Sequence, residues 1–298
     1  MASLKEVKNR INSVSSTRKI TSAMKLVASS KLHKAQGAIE SMQPYARRLG
    51  AIMTRFVGEM QGEIASPYVR NVKSAERVAI LAVSSNSSLC GAFNANVVKE
   101  LTRTIGQLRS EGVSQIEVIP IGTKVAEKVR KMGFAVGDPT AGAALLDKPT
   151  YAGASQIAEG LMQRFADKEL DKVILIYNHF KNTATQVLTN ETFLPINLDA
   201  HQGETAGKSV LGKMQLDYII EPSREAIVSE LIPRVLHLQI YTMLLDSLAS
   251  EHSARVIAMQ VATDNADQLL EDLTLMYNKT RQAAITSELL DIVGASFQ

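Results

Sequence analysis

Apolar residues recur in heptads from the fourth residue onward. With Leu4 as an a position, the a and d places up to Phe56 are Leu4, Val7, Ile11, Val14, Arg18, Thr21, Lys25, Ala28, Leu32, Ala35, Ile39, Met42, Ala46, Leu49, Met53 and Phe56. Thirteen of these sixteen are apolar, which predicts one long helix with a single apolar seam. A second stripe of the same period, Val228, Leu231, Val235, Leu238, Leu245, Ala249, Val256, Met259, Ala266, Leu270, Leu273 and Tyr277, occupies the C-terminal segment. At 1.5 Å per residue the first helix is about 80 Å long, and one from Pro233 to Val293 is about 90 Å long. Each seam needs a partner, so the two ends predict a two-stranded rod. The polar interruptions Arg18, Thr21 and Lys25 fall together rather than scattering. A plain apolar contact is therefore not what that stretch serves.

Between the rods the period changes to short β-branched runs that alternate with helical stretches, the pattern of an α/β domain. Strands are expected at Val78–Ser84, Ile116–Ile121, around Phe134–Val136, at Val173–Tyr177 and at Thr185–Leu194, with helices near 94–110, 123–131 and 153–168. The first, second and fourth strands are nearly all apolar, as strands covered on both faces are. The last alternates like an edge strand. A proline in the first helical turn loses no hydrogen bond, so the return helix is expected to begin at Pro233. The expected divisions are 1–60 for the first helix, 61–76 for a linker, 77–200 for the α/β domain, 201–232 for a loop and foot, and 233–298 for the last helix.

Composition narrows the class. Residues 1–48 hold ten Lys or Arg against Glu6 and Glu40, a local charge of +8, while the whole chain carries +3. The remainder is therefore at −5, and the basic helix calls for an anionic partner. Tyr45 is its one aromatic residue, which gives little for stacking nucleobases. No apolar run approaches a membrane span, and the opening MASLKEVKNRI lacks the apolar core of a secretory signal. One cysteine, Cys90, leaves no disulfide framework and reads as a small buried thiol.

Enzymatic motifs are weak throughout. GETAGKS, Gly203–Ser209, has three residues between its glycines where a phosphate loop requires four. The turn after the first strand, Ser84–Asn94, holds one glycine and no dinucleotide fingerprint. The five histidines are dispersed, without the i, i+4 pair of a helical zinc site. No catalytic residue, cofactor or metal is expected. The distinctive chemistry is polar decoration near the chain ends: Arg18, Lys19 and Lys25, then Arg255, Arg281, Gln282 and Thr286. Such groups suit carboxylates and carbonyls of a surrounding protein.

TRKITSAMKLVASSKL (Thr17–Leu32) resembles the N-terminal signature of the gamma subunit of F-type ATP synthases. SEHSARVIAMQVATDNA (Ser250–Ala266) and YNKTRQAAITSELLDIVGA (Tyr277–Ala295) resemble its C-terminal signature. The resemblance implies a long antiparallel coiled coil of the N- and C-terminal helices, with a Rossmann-like α/β domain inserted between them. It implies a rotating central stalk, turned by a membrane c-ring under proton or sodium-ion flow and forcing the catalytic sites of a hexamer of alpha and beta subunits through their conformations. An epsilon subunit is a further expected partner. Membrane insertion and nucleic-acid binding are not expected, and the expected place is the cytoplasmic face of a bacterial inner membrane.

The same resemblance assigns hexamer contacts to Met24, Lys25, Arg255, Arg281, Gln282 and Thr286, a bearing tip to Ile292, Val293 and Phe297, and c-ring contacts to Tyr218 and Glu221. Asn86, Ser87 and Ser88 stand where relatives usually carry an acid, a base and glycine. Ile220 stands where relatives carry an aromatic. The chloroplast form's regulatory cysteine pair is absent. Two other classes fit the bare pattern: a basic coiled-coil adaptor for nucleic acid, marked by steep salt dependence, and a small-molecule enzyme on the α/β domain, marked by ligand stabilisation.

Overall fold

A computed structural model describes residues 3–59, 66–70, 72, 75–136, 139–196 and 223–296. Two long helices enclose a mixed α/β segment in sequence: α1 (Leu4–Glu59), a 3₁₀ turn (Pro67–Val69), β1 (Arg77–Val83), α2 (Phe93–Ser110), β2 (Gln115–Ile121), α3 (Thr123–Lys131), α4 (Pro139–Asp147), α5 (Tyr151–Ala166), β3 (Lys172–Phe180), β4 (Gln186–Leu194) and α6 (Arg224–Ser296). The chain divides into two units, residues 1–30 with 255–298, and residues 31–254.

In the larger unit the sheet order is β2-β1-β3-β4, with β1 parallel to β2 and to β3, and β3 antiparallel to β4. Alternate residues of β1 and β3 feed two cores. Ala79, Leu81, Val83, Val173, Leu175 and Tyr177 face α5 and the 232–244 stretch of α6. Val78, Ile80, Ala82, Ile174 and Ile176 face α2 and α3. β1 and the first part of β3 are therefore buried on both faces, which is why they read as unbroken apolar runs. β2 also reads as apolar, yet it lies at one edge and is only partly buried. β4 is the alternating edge strand that its sequence predicts.

Three local expectations are corrected. Phe134–Val136 is not a strand; Phe134 and Val136 pack on the second core from a loop, where the Phe134 N–H donates to Val129 O at 3.3 Å. α4 has no counterpart among the predicted helices. α6 begins at Arg224, nine residues before Pro233, with the Ser223 hydroxyl accepting from Ala226 N–H at 3.2 Å as an N-cap does. Pro233 sits inside the helix and forfeits one backbone hydrogen bond, about 3 kcal/mol of helix stability. Burial of Ile232 and packing of Ile227 and Leu231 on the first core offset that loss.

An ionic clasp closes the start of the sheet. The Asp171 carboxylate accepts from Arg77 N–H at 3.0 Å, from Glu76 N–H at 3.2 Å and from the Arg77 guanidinium at 3.1 Å, with Arg70 at 3.5 Å. Arg70 also stacks 4.2 Å from the Phe165 ring centroid. Burial pushes the Asp171 carboxyl up, but the Arg77 side-chain bond and the two backbone donors outweigh it and hold the group below the ordinary aspartate range. A carboxylate with a depressed folded value stabilises the fold above its unfolded value and loses that contribution as pH falls through the folded one. Asp171→Asn is expected to cost about 2 kcal/mol at neutral pH. The difference from the unaltered chain should begin to shrink as pH drops to the ordinary aspartate range and disappear only once pH falls through the still lower folded-state value. Parallel urea titrations at pH 7 and pH 3 check both statements; an equal gap at the two values refutes the clasp.

Candidate partner-contact surface

In the smaller unit, α1 and α6 lie side by side in opposite directions. Arg18 Nε meets Asp267 Oδ1 at 2.9 Å, the hydroxyls of Thr21 and Thr263 are 2.8 Å apart, and Lys25 Nζ donates to Gln260 Oε1 at 2.5 Å. The clustered interruption of the first stripe thus faces a matching polar layer on the second. Thr21 is buried there, and a buried polar pair in an apolar seam fixes register more than it adds stability. The half-exposed Arg18–Asp267 pair contributes at most about 1 kcal/mol. Around the layer the seam is apolar: Val7 and Ala28 on α1, Met259 and Ala266 on α6 are buried.

The register leaves α6 longer than its companion. Residue numbers in the three cross-pairs add to 284 or 285, which puts residue 281 opposite Leu4. Leu4 is the first residue of α1, and α6 continues as helix from Gln282 to Ser296. That tip displays Ile285, Leu289, Leu290, Ile292 and Val293 to solvent, with Leu290 66% exposed. Ile285, Leu289, Ile292 and Val293 have the i, i+4, i+7, i+8 spacing of one apolar stripe. Further back, Ile20, Leu26 and Val27 on α1 and Val261, Leu269, Leu275 and Met276 on α6 are also exposed. Apolar surface on this scale marks a place where another chain sits.

The residues singled out from sequence separate into groups. Arg281, Gln282 and Thr286 are exposed where the pairing ends, and the Thr286 hydroxyl donates to Gln282 O at 2.9 Å. Ile292 and Val293 are exposed on the tip of α6. Met24 is half-buried. Lys25 is half-buried with its ammonium turned to Gln260, an intramolecular task that its sequence did not reveal. Arg255 is buried. Phe297, Tyr218 and Glu221 lie outside the described residues, as do Ile220 and the GETAGKS segment. Of the exposed apolar residues, Leu26, Val261, Leu269, Leu275, Met276, Ile285, Leu289 and Leu290 were not singled out from sequence, although the positions just off each heptad seam carried the signal.

The turn after β1 is internally closed. The Ser85 hydroxyl and the Asn94 amide exchange hydrogen bonds at 2.8 and 3.0 Å, and Asn94 Nδ2 donates to the buried Cys90 sulfur at 3.2 Å. Asn86 Oδ1 and the Asn86 carbonyl accept from Thr123 N–H and the Thr123 hydroxyl, while Asn86 Nδ2 donates to Ala143 O at 2.8 Å. Asn86 is thus a neutral clamp between the end of β1, α3 and α4. Among the described residues no group of three or more His, Cys, Asp and Glu side chains is placed to hold a metal, and no helix is long and apolar enough to cross a membrane.

A pair of helices with an internal polar register and an exposed apolar end defines a protein whose surface is made to engage other chains. The family model described as ATP synthase matches residues 3–296. A chain from Phocaeicola vulgatus called ATP synthase gamma chain is 55% identical over 99% of both chains, one from Bacteroides thetaiotaomicron is 54% identical over the full length of both, and one from Flavobacterium johnsoniae is 44% identical over 99% of this chain and 98% of its own. The chain belongs to the ATP synthase gamma-chain family. Its fold is similar to a chain in the central stalk and c-ring of the Tetrahymena thermophila mitochondrial ATP synthase, with a TM-score of 0.58 at 24% identity, covering 82% of this chain and 99% of that one. A chain of the Euglena gracilis mitochondrial enzyme gives a TM-score of 0.51 at 18% identity, covering 90% of this chain and 94% of that one.

Proposed function

We propose that the paired ends of α1 and α6 form an antiparallel coiled coil that stands inside a hexamer of alternating alpha and beta subunits. The chain is the central-stalk rotor subunit of an F-type ATP synthase and has no catalytic site of its own. Its α/β segment, Rossmann-like in the parallel order β2-β1-β3, takes torque from the c-ring through Tyr218 and Glu221 and also meets the epsilon subunit. Ile292, Val293 and Phe297 turn in an apolar sleeve, where non-directional contact permits slip. Arg281, Gln282, Thr286, Met24, Lys25 and Arg255 serve the grip on the hexamer, the last two by shaping the helix pair that carries the exposed groups. The basic N-terminal helix faces acidic segments of the beta subunits, and the complex sits on the cytoplasmic face of a bacterial inner membrane.

The observation that carries this reading is the register of the helix pair. It leaves a single apolar tip beyond a stiff two-stranded stretch, with Arg281 and Gln282 at the junction. A rotor needs weak contacts at its bearing and directional ones where force passes, and the two chemistries fall on adjacent turns. Co-expression with alpha and beta subunits should yield a complex containing one copy of this chain per hexamer and hydrolysing ATP severalfold faster than alpha and beta alone. A hexamer that forms without the chain and gains no activity on its addition refutes the proposal.

A further inference from the structure

In the larger unit, α6 between Ile232 and Ser253 is enclosed on three sides. Ile232, Leu236, Ile240, Met243 and Leu244 face the core shared with α5 and the sheet. Ala249 meets Leu32 and Ala35 of α1. Between these two apolar faces runs a row of polar residues, all touching β3, β4 or the turn that joins them. Gln239 Nε2 donates to Glu191 Oε1 at 3.1 Å, and Asp246 Oδ2 lies 2.6 Å from His179 Nδ1. The Ser250 hydroxyl donates to Asn178 O at 3.0 Å, and the Ser253 hydroxyl donates to Thr183 O at 2.5 Å while accepting from Gln186 Nε2 at 3.0 Å. At about 100° per residue, Gln239, Asp246, Ser250 and Ser253 fall in a stripe about 60° wide. Ser250 and Ser253 are fully buried.

The helix pattern alone does not call for this row, since small apolar residues would fill the same stripe. The apolar faces on either side resist separation but have no preferred direction within the contact plane. Hydrogen bonds do: they weaken steeply with small changes of distance and angle. Two of the acceptors are backbone carbonyls of the hairpin, which cannot follow a turning helix as a flexible side chain does. We infer that Gln239, Asp246, Ser250 and Ser253 form a torsional key, fixing the rotation of α6 about its own axis against the β3–β4 hairpin so that torque on the α/β segment reaches the helix without slip. The inference rests on the rotor reading and adds to it the place where load crosses from sheet to shaft. These are positioning residues, acting through the hairpin and touching no nucleotide.

The test uses the complete complex in lipid vesicles, with the double variant Gln186→Ala/Ser253→Ala, the single variant Gln186→Ala and the hydroxyl-retaining Ser253→Thr. Torsional stiffness is read from the angular fluctuation of a probe on the α/β segment while the hexamer is stalled. Hydrolysis rate and protons moved per ATP are read alongside it. The double variant should hydrolyse ATP at the normal rate while its stiffness and its protons per ATP against an opposing gradient fall by a factor of about two or more. Gln186→Ala should show a smaller fall of the same kind, and Ser253→Thr should match the unaltered chain. Normal stiffness in the double variant overturns the key. Should that variant fail to assemble, Gln186→Ala decides, because Gln186 is only half-buried, and normal stiffness there overturns it equally. Failure of the unaltered chain to rotate in the hexamer is a different result, and it removes the rotor reading itself.

Discussion

Replacing Arg281 and Gln282 together by alanine is expected to leave the chain folded and to uncouple the assembled complex. Both side chains are exposed at the point where α6 outruns α1, so their removal opens no cavity, and alanine is the best helix former. Thermal unfolding of the isolated chain should stay within about 2 °C of the unaltered one. With the proposed contacts the loss in the complex is larger, because a guanidinium and an amide meeting partner carboxylates and carbonyls each contribute about 1.5 kcal/mol in a charge-assisted or partly desolvated bond. Two such losses correspond to about 100-fold in the proposed equilibrium between the chain and the hexamer. Gradient-driven ATP synthesis by reconstituted vesicles should therefore collapse while the subunit still folds. Normal synthesis, or a large fall in the chain's own melting temperature, contradicts the assignment.

Gly122→Ala is expected to have the largest effect on folding of any single methyl addition in the sheet segment. Gly122 follows β2 with φ +105°, a region that favours glycine. A Cβ there would stand 2.4 Å from the Ser84 carbonyl oxygen and 2.9 Å from the Ser84 carbonyl carbon. That carbonyl cannot retreat cheaply, because Ser84 N–H donates to Ile121 O at 2.8 Å and the Ser84 hydroxyl accepts from Val125 N–H at 2.9 Å. Strain and clash together should cost about 3–5 kcal/mol, lowering the melting temperature by about 10 °C. Gly112→Ala is the control, since φ is +86° but nothing lies within 4 Å of its Cβ. Its cost is backbone strain alone, about 1 kcal/mol. Equal melting temperatures for the two variants refute the close approach as the cause.

Much of this molecule is legible in one dimension because its long helices and covered strands impose periods on the sequence. The a and d residues from Leu4 to Met53 are buried or half-buried with the single exception of Arg18, and the apolar runs of β1 and β3 became the covered strands. Departures arise where a neighbour decides. The FAV run at Phe134 had strand-like residues, yet it packs on the second core as a loop outside the four-stranded sheet. Pro233 looked like a helix start, yet Ile232 and Leu231 found a core that offset the lost hydrogen bond. α4 is rich in Ala and Gly, whose small side chains carry no strong period. The candidate surface was legible as to residue type, and Arg281 and Gln282, singled out from motif alone, are exposed in the structure. The bond of Lys25 to Gln260 and the burial of Arg255 were not legible, because one helix face looks the same whether it meets solvent or another part of the same chain.

By itself the sequence determined two seams of helical period, a basic first helix, an α/β segment between them and the signatures that place the chain among the gamma chains. These follow from local rules, since burial of one face forces a repeat of 3.5 or 2 residues wherever the segment ends up. Tertiary structure alone decided the pairing of Arg18, Thr21 and Lys25 with Asp267, Thr263 and Gln260, the length of α6 left beyond Arg281, and the polar row that Ser250 and Ser253 present to the hairpin. Such features depend on which residue of a distant segment stands opposite, and a period in one strand of the chain carries no record of the register of its partner.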